Sequence, residues 1–328
     1  MKVLFNTYPV AFDCPGGGEI QLLKTKEALE TLGVEVVFFD LWNPMPGDVD
    51  VVHYFSVQGG SINFCSYVKK KGLPLVISPI IWLGKDRDKY PLNEIGELLQ
   101  IADVIFPNSI AERKQLAGFF SLDESKFHVT YNAIEKEFVA SARSDEFRRA
   151  FGIKGPFVLN VANIEERKNQ LGLVRAMKGM GIDLVLLGNI RDRALFHACM
   201  TEGKDFVRYV SHIPHEHPLL KSAYDSCDLF VLPSLLETPG LSALEAAARG
   251  KKLVITEIGA TGEYFGEFVT YVDPYSVESI RKGIEKELKA HRDGSLRHYV
   301  SEKFTWWRAG QQALEGYGKA IGGRGRNR

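Results

Sequence analysis

Short apolar runs alternate with longer amphipathic segments along most of the 328-residue chain. Residues 3–5, 34–39, 49–55, 75–79, 104–107 and 129–131 form runs of a few residues, many of them β-branched. Continuous apolar runs of that length suit strands buried on both faces, the condition of a parallel sheet. Between them the pattern predicts helices over 19–32, 61–71 and 109–120. Gly33 and Gly72 stand where the first two should stop, because glycine accepts the left-handed conformation that ends a helix.

The pattern then restarts. Residues 157–161, 184–187, 207–210, 229–232, 253–256 and 269–272 read as a second set of strands with helices between. Residues 147–156 pass through a charged helix to Gly152, Gly155 and Pro156, an expected hinge. Strand and helix in alternation predict an α/β protein of two doubly wound, Rossmann-like parallel-sheet domains, 1–150 and 151–305. Two such halves would face each other across a cleft with the carboxyl ends of their strands. The Gly/Arg-rich tail, 322–328, is expected to be disordered.

Composition narrows the function. Lys plus Arg equals Asp plus Glu at 41 each, so a polyanion-binding protein, and nucleic acid as partner, are disfavoured. Cys14, Cys65, Cys199 and Cys227 are widely spaced and far from any His cluster. That argues against a zinc site or a disulfide framework and for a reducing, cytoplasmic location. No stretch approaches the ~20 apolar residues of a membrane span. The basic turns 69–71 and 85–89 leave peripheral contact with an anionic inner membrane face open, beside the plainer reading as solvated turns.

The segment 229–250 carries the most chemistry: a buried strand ends at Pro233–Ser234, a turn follows, and a helix starts near Leu241. The free amides of Gly240, Leu241 and Ser242 would then sit at the positive end of that helix, which binds phosphate without a special side chain. Glu237 in the turn and Glu245 in the helix would reach either side of a bound diphosphate, one toward a sugar hydroxyl and one toward a ribose diol. After the first strand of the second half, Arg167 and Lys168 are placed to neutralise a pyrophosphate leaving group. Between the first strand and its helix lies Cys14-Pro-Gly16-Gly17-Gly18-Glu19, where consecutive glycines allow close approach to a ligand. It is not G-x-G-x-x-G, since Gln21 takes the last place.

The strand–turn–helix with Glu237 and Glu245 separated by seven residues resembles the GT-B-fold glycosyltransferases, in particular glycosyltransferase family 4. The resemblance covers nearly the whole chain, most densely 157–273. It implies a retaining, metal-independent transfer from a nucleotide sugar, with no cofactor. It also implies a donor-sugar contact for Glu237, a ribose contact for Glu245, and a glycine loop at Gly16–Gly18 over donor phosphates and acceptor. His53, in the run Val51-Val-His-Tyr54, matches a strand-end His that lies near the donor sugar in the family. Residues 304–317 resemble the family's last helix, expected over 306–321, which crosses back onto the first domain. One departure stands out: the family has an Arg five residues before Lys168, and this chain has Asn163.

Asn108–Ser109 and Asn132–Ala133 are further cleft candidates by position, and 263–266 resembles a family loop under the nucleotide. Asp48-x-Asp50 and Asp86-x-Asp88 are read as chance matches to a metal-binding D-x-D pattern. The expected acceptor is left as a saccharide, a lipid-linked sugar or a small molecule. An epimerase acting on nucleotide sugars, or a non-catalytic partner subunit of the same fold, remain alternatives.

Overall fold

The computed structural model describes residues 1–13, 15–58, 60–84, 87–140 and 142–323. It divides into two compact units, one of Met1–Ala133 with the last helix and one of Ile134–Lys303. Cys14, Lys85, Asp86 and residues 324–328, on which some sequence expectations rest, lie outside the described residues.

The first unit carries β1 (Lys2–Thr7), β2 (Glu35–Phe38), β3 (Val51–Phe55), β4 (Leu75–Ser78) and β5 (Val104–Ile105). They form one parallel sheet in the order β2-β1-β3-β4-β5. Its connecting helices are α1 (Gly17–Thr31), α2 (Ile62–Lys70), α3 (Leu92–Ile101) and α4 (Ile110–Phe120).

The second unit begins with α5 (Lys136–Ala140) and α6 (Glu146–Phe151). Its sheet is β6 (Phe157–Val161), β7 (Asp183–Leu187), β8 (Val207–Val210), β9 (Leu229–Leu232), β10 (Leu253–Thr256) and β11 (Thr270–Val272). These strands too are all parallel, in the order β11-β10-β9-β6-β7-β8. The helices are α7 (Gln170–Met177), α8 (Arg193–Glu202), α9 (Pro218–Ser226), α10 (Leu241–Ala248), α11 (Thr261–Phe265), α12 (Val277–Lys289) and α13 (Ser295–Lys303). The last helix, α14 (Trp306–Gly322), packs on α1 in the first unit.

Alternation along the strands explains the continuous apolar runs. Val3, Phe5, Val51 and Phe55 share a core with Leu22 and Leu29 of α1 and Ala313 and Tyr317 of α14. Leu4, Val52, Tyr54 and Ile77 pack the other way, with Cys65 and Val68 of α2 and Leu98 and Leu99 of α3. Neither face of the sheet is solvated, so neither needs polar residues.

Three expectations are corrected. Residues 129–131 are not a strand, although the segment follows β5 through His128 N to Ile105 O at 2.8 Å and Thr130 N to Pro107 O at 2.9 Å. Residues 152–156 lie within the second unit, whose boundary with the first falls between Ala133 and Ile134. Gly152 is the left-handed cap that ends α6, and Arg148 ties the loop back by donating to Gly155 O at 2.5 Å. Both α5 and α6 belong to the second unit, where Phe147 N donates to Ser222 Oγ of α9 at 2.8 Å.

His53 is the third. It is the middle residue of β3, 1% exposed, and surrounded by Phe5, Phe55, Phe106 and Tyr317. Its Nδ1 pairs with Tyr317 Oη at 2.7 Å and its Nε2 with Ser78 Oγ at 2.8 Å. Burial pushes its pKa well below the usual histidine range, so the ring is neutral. With both nitrogens engaged inside the first unit, His53 sits in the core of that unit and not at a strand end. Tyr317→Phe should therefore cost about 1–3 kcal/mol, because it leaves a buried ring nitrogen without its partner. Urea unfolding of the variant would show the loss; an unchanged midpoint would remove this role.

Candidate active site

The second sheet reverses its strand order between β6 and β9, and ligands of open α/β sheets bind beyond the carboxyl ends of strands at such a point. The loops that leave β6 and β9 are joined there. Leu235 N donates to Arg167 O at 2.8 Å, and Arg167 Nη1 donates to Leu236 O at 3.3 Å. Asn169, left-handed at φ 55°, donates from Nδ2 to Pro233 O at 3.0 Å and to Pro274 O at 2.7 Å. A third loop, after β10, holds the backbone of Glu237: its N donates to Ile258 O at 3.2 Å, and its O accepts from Ala260 N at 2.9 Å. A Cβ on Gly259, at φ +112°, would lie 2.0 Å from Glu237 O, so glycine alone permits this approach.

These loops bring Lys168 and Glu237 together across 69 residues of sequence. Lys168 Nζ donates to Glu237 Oε1 at 2.5 Å, and the Ser234 hydroxyl donates to the same oxygen at 2.5 Å. Glu237 is 4% exposed. Burial opposes its charge, but Lys168, Arg167 and Ser234 together outweigh burial and hold the carboxyl below its usual range. Burial also draws Lys168 below the usual lysine range, with Glu237 opposing that shift. One of the three N–H donors of Lys168 is used on Glu237, and Glu237 Oε2 accepts no hydrogen bond among the described residues. The pair thus offers a fixed cationic donor and a fixed acceptor side by side.

Gly240 caps α10, whose first amides have no acceptor within the helix. Gly240, Leu241 and Ser242 therefore stand where the sequence put an anion site, next to Glu237. Glu245, one turn on, is held by protein groups on both oxygens: Tyr224 Oη donates to Oε2 at 2.5 Å and His215 Nε2 to Oε1 at 2.7 Å. His215 Nδ1 in turn lies 3.5 Å from Glu135 Oε1. A ribose diol at Glu245 would have to share those oxygens.

Asn163 faces an arginine. With its amide oriented to satisfy both sides, Asn163 Oδ1 accepts from Nε and Nη2 of Arg191 at 3.2 Å each. Arg191 also donates to Glu165 Oε2 at 3.0 Å, while Arg167 Nη2 donates to Glu165 Oε1 at 3.0 Å. Guanidinium charge thus stands beside the position where the family's arginine is absent. Arg191 was missed in the sequence, although it follows the end of β7 at the same sheet edge, and that position was the available signal. No spacing signals His215 or Tyr224, which meet Glu245 only through folding.

In the first unit Gly16 precedes α1, and Gly17 and Gly18 are already its first helical residues. Glu19 Oε2 accepts from Gly16 N at 2.6 Å and its Oε1 from Tyr8 Oη at 2.9 Å. Gln21 exchanges hydrogen bonds with Asn108 at 2.8 and 3.1 Å and accepts from Asn132 at 3.2 Å, a buried amide cluster. Tyr264 and Phe265 are fully buried and fill core, while Glu263 and Gly266 on either side are half-buried. Asp48 and Asp50 both meet Lys2, through Nζ at 3.1 Å and through N at 2.7 Å.

Residues 143–304 match the family model described as Glycosyl transferases group 1. The match spans most of the second unit, including both glutamates and Lys168. A curated relative, D-inositol 3-phosphate glycosyltransferase 1 of Catenulispora acidiphila, is 27% identical over 318 residues, covering 86% of this chain and 75% of that protein. Among solved structures, the sucrose-phosphate synthase of Thermosynechococcus elongatus aligns with a TM-score of 0.80 at 17% identity, over 98% of this chain and 99% of that one. Anabaena HepE in complex with UDP and glucose aligns with a TM-score of 0.76 at 16% identity, over 96% and 98%. The architecture is that of GT-B proteins, two parallel-sheet Rossmann-like units. The family match and the relatives support glycosyltransferase activity with a nucleotide-sugar donor.

The ion pair makes a testable energetic claim. Lys168→Met strands a buried carboxylate and should destabilise the second unit by about 3 kcal/mol at neutral pH. The double variant with Glu237→Gln should recover much of that loss, which a double-mutant cycle in denaturant measures. Because folding lowers the Glu237 pKa, its stabilisation is present above the ordinary carboxyl range. It should fade as pH falls through the lower folded value, and Glu237→Gln should remove that part of the acid limb.

Proposed function

We propose that this chain is a retaining glycosyltransferase of family 4 type that uses Lys168, Glu237 and the start of α10 to hold a nucleotide sugar. The observation that carries the reading is the buried Lys168–Glu237 pair beside unpaired helix amides, at the strand-order reversal of a unit matching the group 1 family. Diphosphate oxygens take the amides of Gly240–Ser242 and the remaining donors of Lys168, with Arg167 and Arg191 adding charge nearby. Glu237 Oε2 accepts from a hydroxyl of the donor sugar, and Glu245 meets the ribose. The bond from sugar C1 to the diphosphate oxygen breaks, and an acceptor oxygen bonds C1 with retention of configuration. The acceptor's proton leaves with the diphosphate. Cationic side chains and helix amides stabilise the growing charge, so this reading calls for no metal or other cofactor.

The acceptor is a saccharide, a lipid-linked sugar or a small molecule, met in the cytoplasm. A related fold is known with UDP and glucose bound, which makes UDP-sugars the first donors to try. A panel of UDP-, GDP-, ADP- and dTDP-sugars should raise the melting temperature for one base, by about 2.7 kcal/mol of added stability at a hundredfold excess over Kd. Lys168→Ala and Glu237→Ala should each slow transfer by roughly 10²–10³ with the fold retained, and chelator should leave the rate unchanged. Rates within a few-fold of wild type would remove these roles. Binding without turnover under any acceptor would favour a partner subunit, and sugar isomerised without acceptor would favour an epimerase.

A further inference from the structure

Arg143, Lys251, Lys252, Arg292 and Arg297 line a cavity of about 630 Å³ in the second unit. It lies where α10 ends and β10 begins, at the opposite end of α10 from Gly240 and Glu237. Few of these side chains form a direct ion pair. Lys251 Nζ donates to Asp225 O at 2.6 Å and Cys227 O at 2.8 Å, and Lys252 Nζ to Leu288 O at 2.9 Å. Arg297 Nη2 donates to Val139 O at 2.8 Å. Carbonyls satisfy those N–H groups, and no carboxylate among the described residues bonds these cations directly, although Asp225 and Asp228 act on Lys251 and Glu287 on Lys252 from further away. Of the five, Arg292 makes a direct ion pair among the described residues, bidentate on Glu287 at 2.8 Å for both bonds. Arg143 is exposed and makes no hydrogen bond or ion pair among the described residues.

Two of these arginines converge. Arg143 Nη2 and Arg297 Cδ lie 3.1 and 3.6 Å from where a Cβ on Gly250 would stand, and Gly250 is at φ +71°. Any other residue there would be strained and would push Arg143 away. Burial draws the Lys251 ammonium below the usual lysine range; the charge of Arg143 pulls the same way, while Cys227, Asp225 and Asp228 oppose it. The one carboxylate in the lining, Asp293, accepts from Ser295 N at 2.9 Å at the start of α13.

Like charges gathered in a recess raise the local concentration of counter-ions, and guanidinium forks match phosphoryl oxygens. We propose that this cavity binds a phosphoryl group, held by Arg143 and Arg297 over Gly250 with Lys251 and Lys252 behind. It is a second anion site, at the other end of α10 from the candidate donor site, and does not depend on the transferase reading. The phosphoryl group belongs either to a free phosphorylated small molecule or to a lipid headgroup.

The test uses the full chain with inorganic pyrophosphate in low salt, followed by calorimetry. Arg143→Ala should weaken binding roughly tenfold and Arg143→Glu should weaken it further. Because Arg143 has no partner to lose, the melting temperature without ligand should stay at the wild-type value. Lys168→Ala, which lies at the other site, should leave this component intact. Flotation with vesicles of phosphatidylcholine, with and without phosphatidylglycerol, separates the sources. Vesicle binding that needs the anionic lipid and is lost in Arg143→Glu assigns a headgroup; pyrophosphate binding without it assigns a free ligand. Pyrophosphate affinity unchanged in Arg143→Glu, abolished by Lys168→Ala, or absent in the wild type would overturn the proposal.

Discussion

Taking Lys168 and Glu237 out of water costs several kcal/mol per ion before any attraction is counted, so such a pair survives only where the geometry is good and further hydrogen bonds support it. Here the support is specific. Ser234 donates to the oxygen that Lys168 also uses, and Arg167 adds positive charge from the same turn. Loops from β6, β9 and β10 are tied to one another through backbone groups of Arg167, Leu235, Ile258 and Ala260. Without those ties, either side chain would turn to solvent. The rest of the site inherits its order from this one contact, since the Glu237 turn also fixes where Gly240 starts α10.

The α10 helix is constrained at both ends and in the middle. Its start follows the Glu237 turn, and Glu245 on its second turn is gripped by Tyr224 and His215. At its far end Arg249 is 3% exposed and bidentate on Asp225, at 2.8 and 2.6 Å. A short helix bound this way cannot rotate to suit a ligand. Whatever binds at its amides meets a preset surface, which favours selectivity over adaptability.

Much of the scaffold was legible because burial on both faces leaves a mark in the sequence. Every strand of the second set was readable as an apolar run, and α1, α2 and α4 begin and end within a few residues of expectation. Where reading failed, the cause was a partner distant in sequence. His53 sits 264 residues from Tyr317, and nothing near it reveals that a helix from the end of the chain will fill its polar needs. The segment 129–131 is apolar because it lies against β5, not because it joins the sheet ladder. Gly152 and Gly155 look like a joint, yet the first is a helix cap and the second is bound by Arg148. A local pattern reports what a residue needs, but not which distant group supplies it.

Asn163 shows the same limit at the point that matters for charge. By sequence the position subtracts a cation from the phosphate region, which counts against a working site. In three dimensions the asparagine amide accepts from Arg191, and Glu165 accepts from Arg191 and Arg167 together. An arginine at 163 would have met the like charge of Arg191. An asparagine there accepts a hydrogen bond instead of adding repulsion, and it holds the Arg191 guanidinium at the strand end. Asn163 and Arg191 are therefore best regarded as one unit, in which the neutral residue positions the charged one.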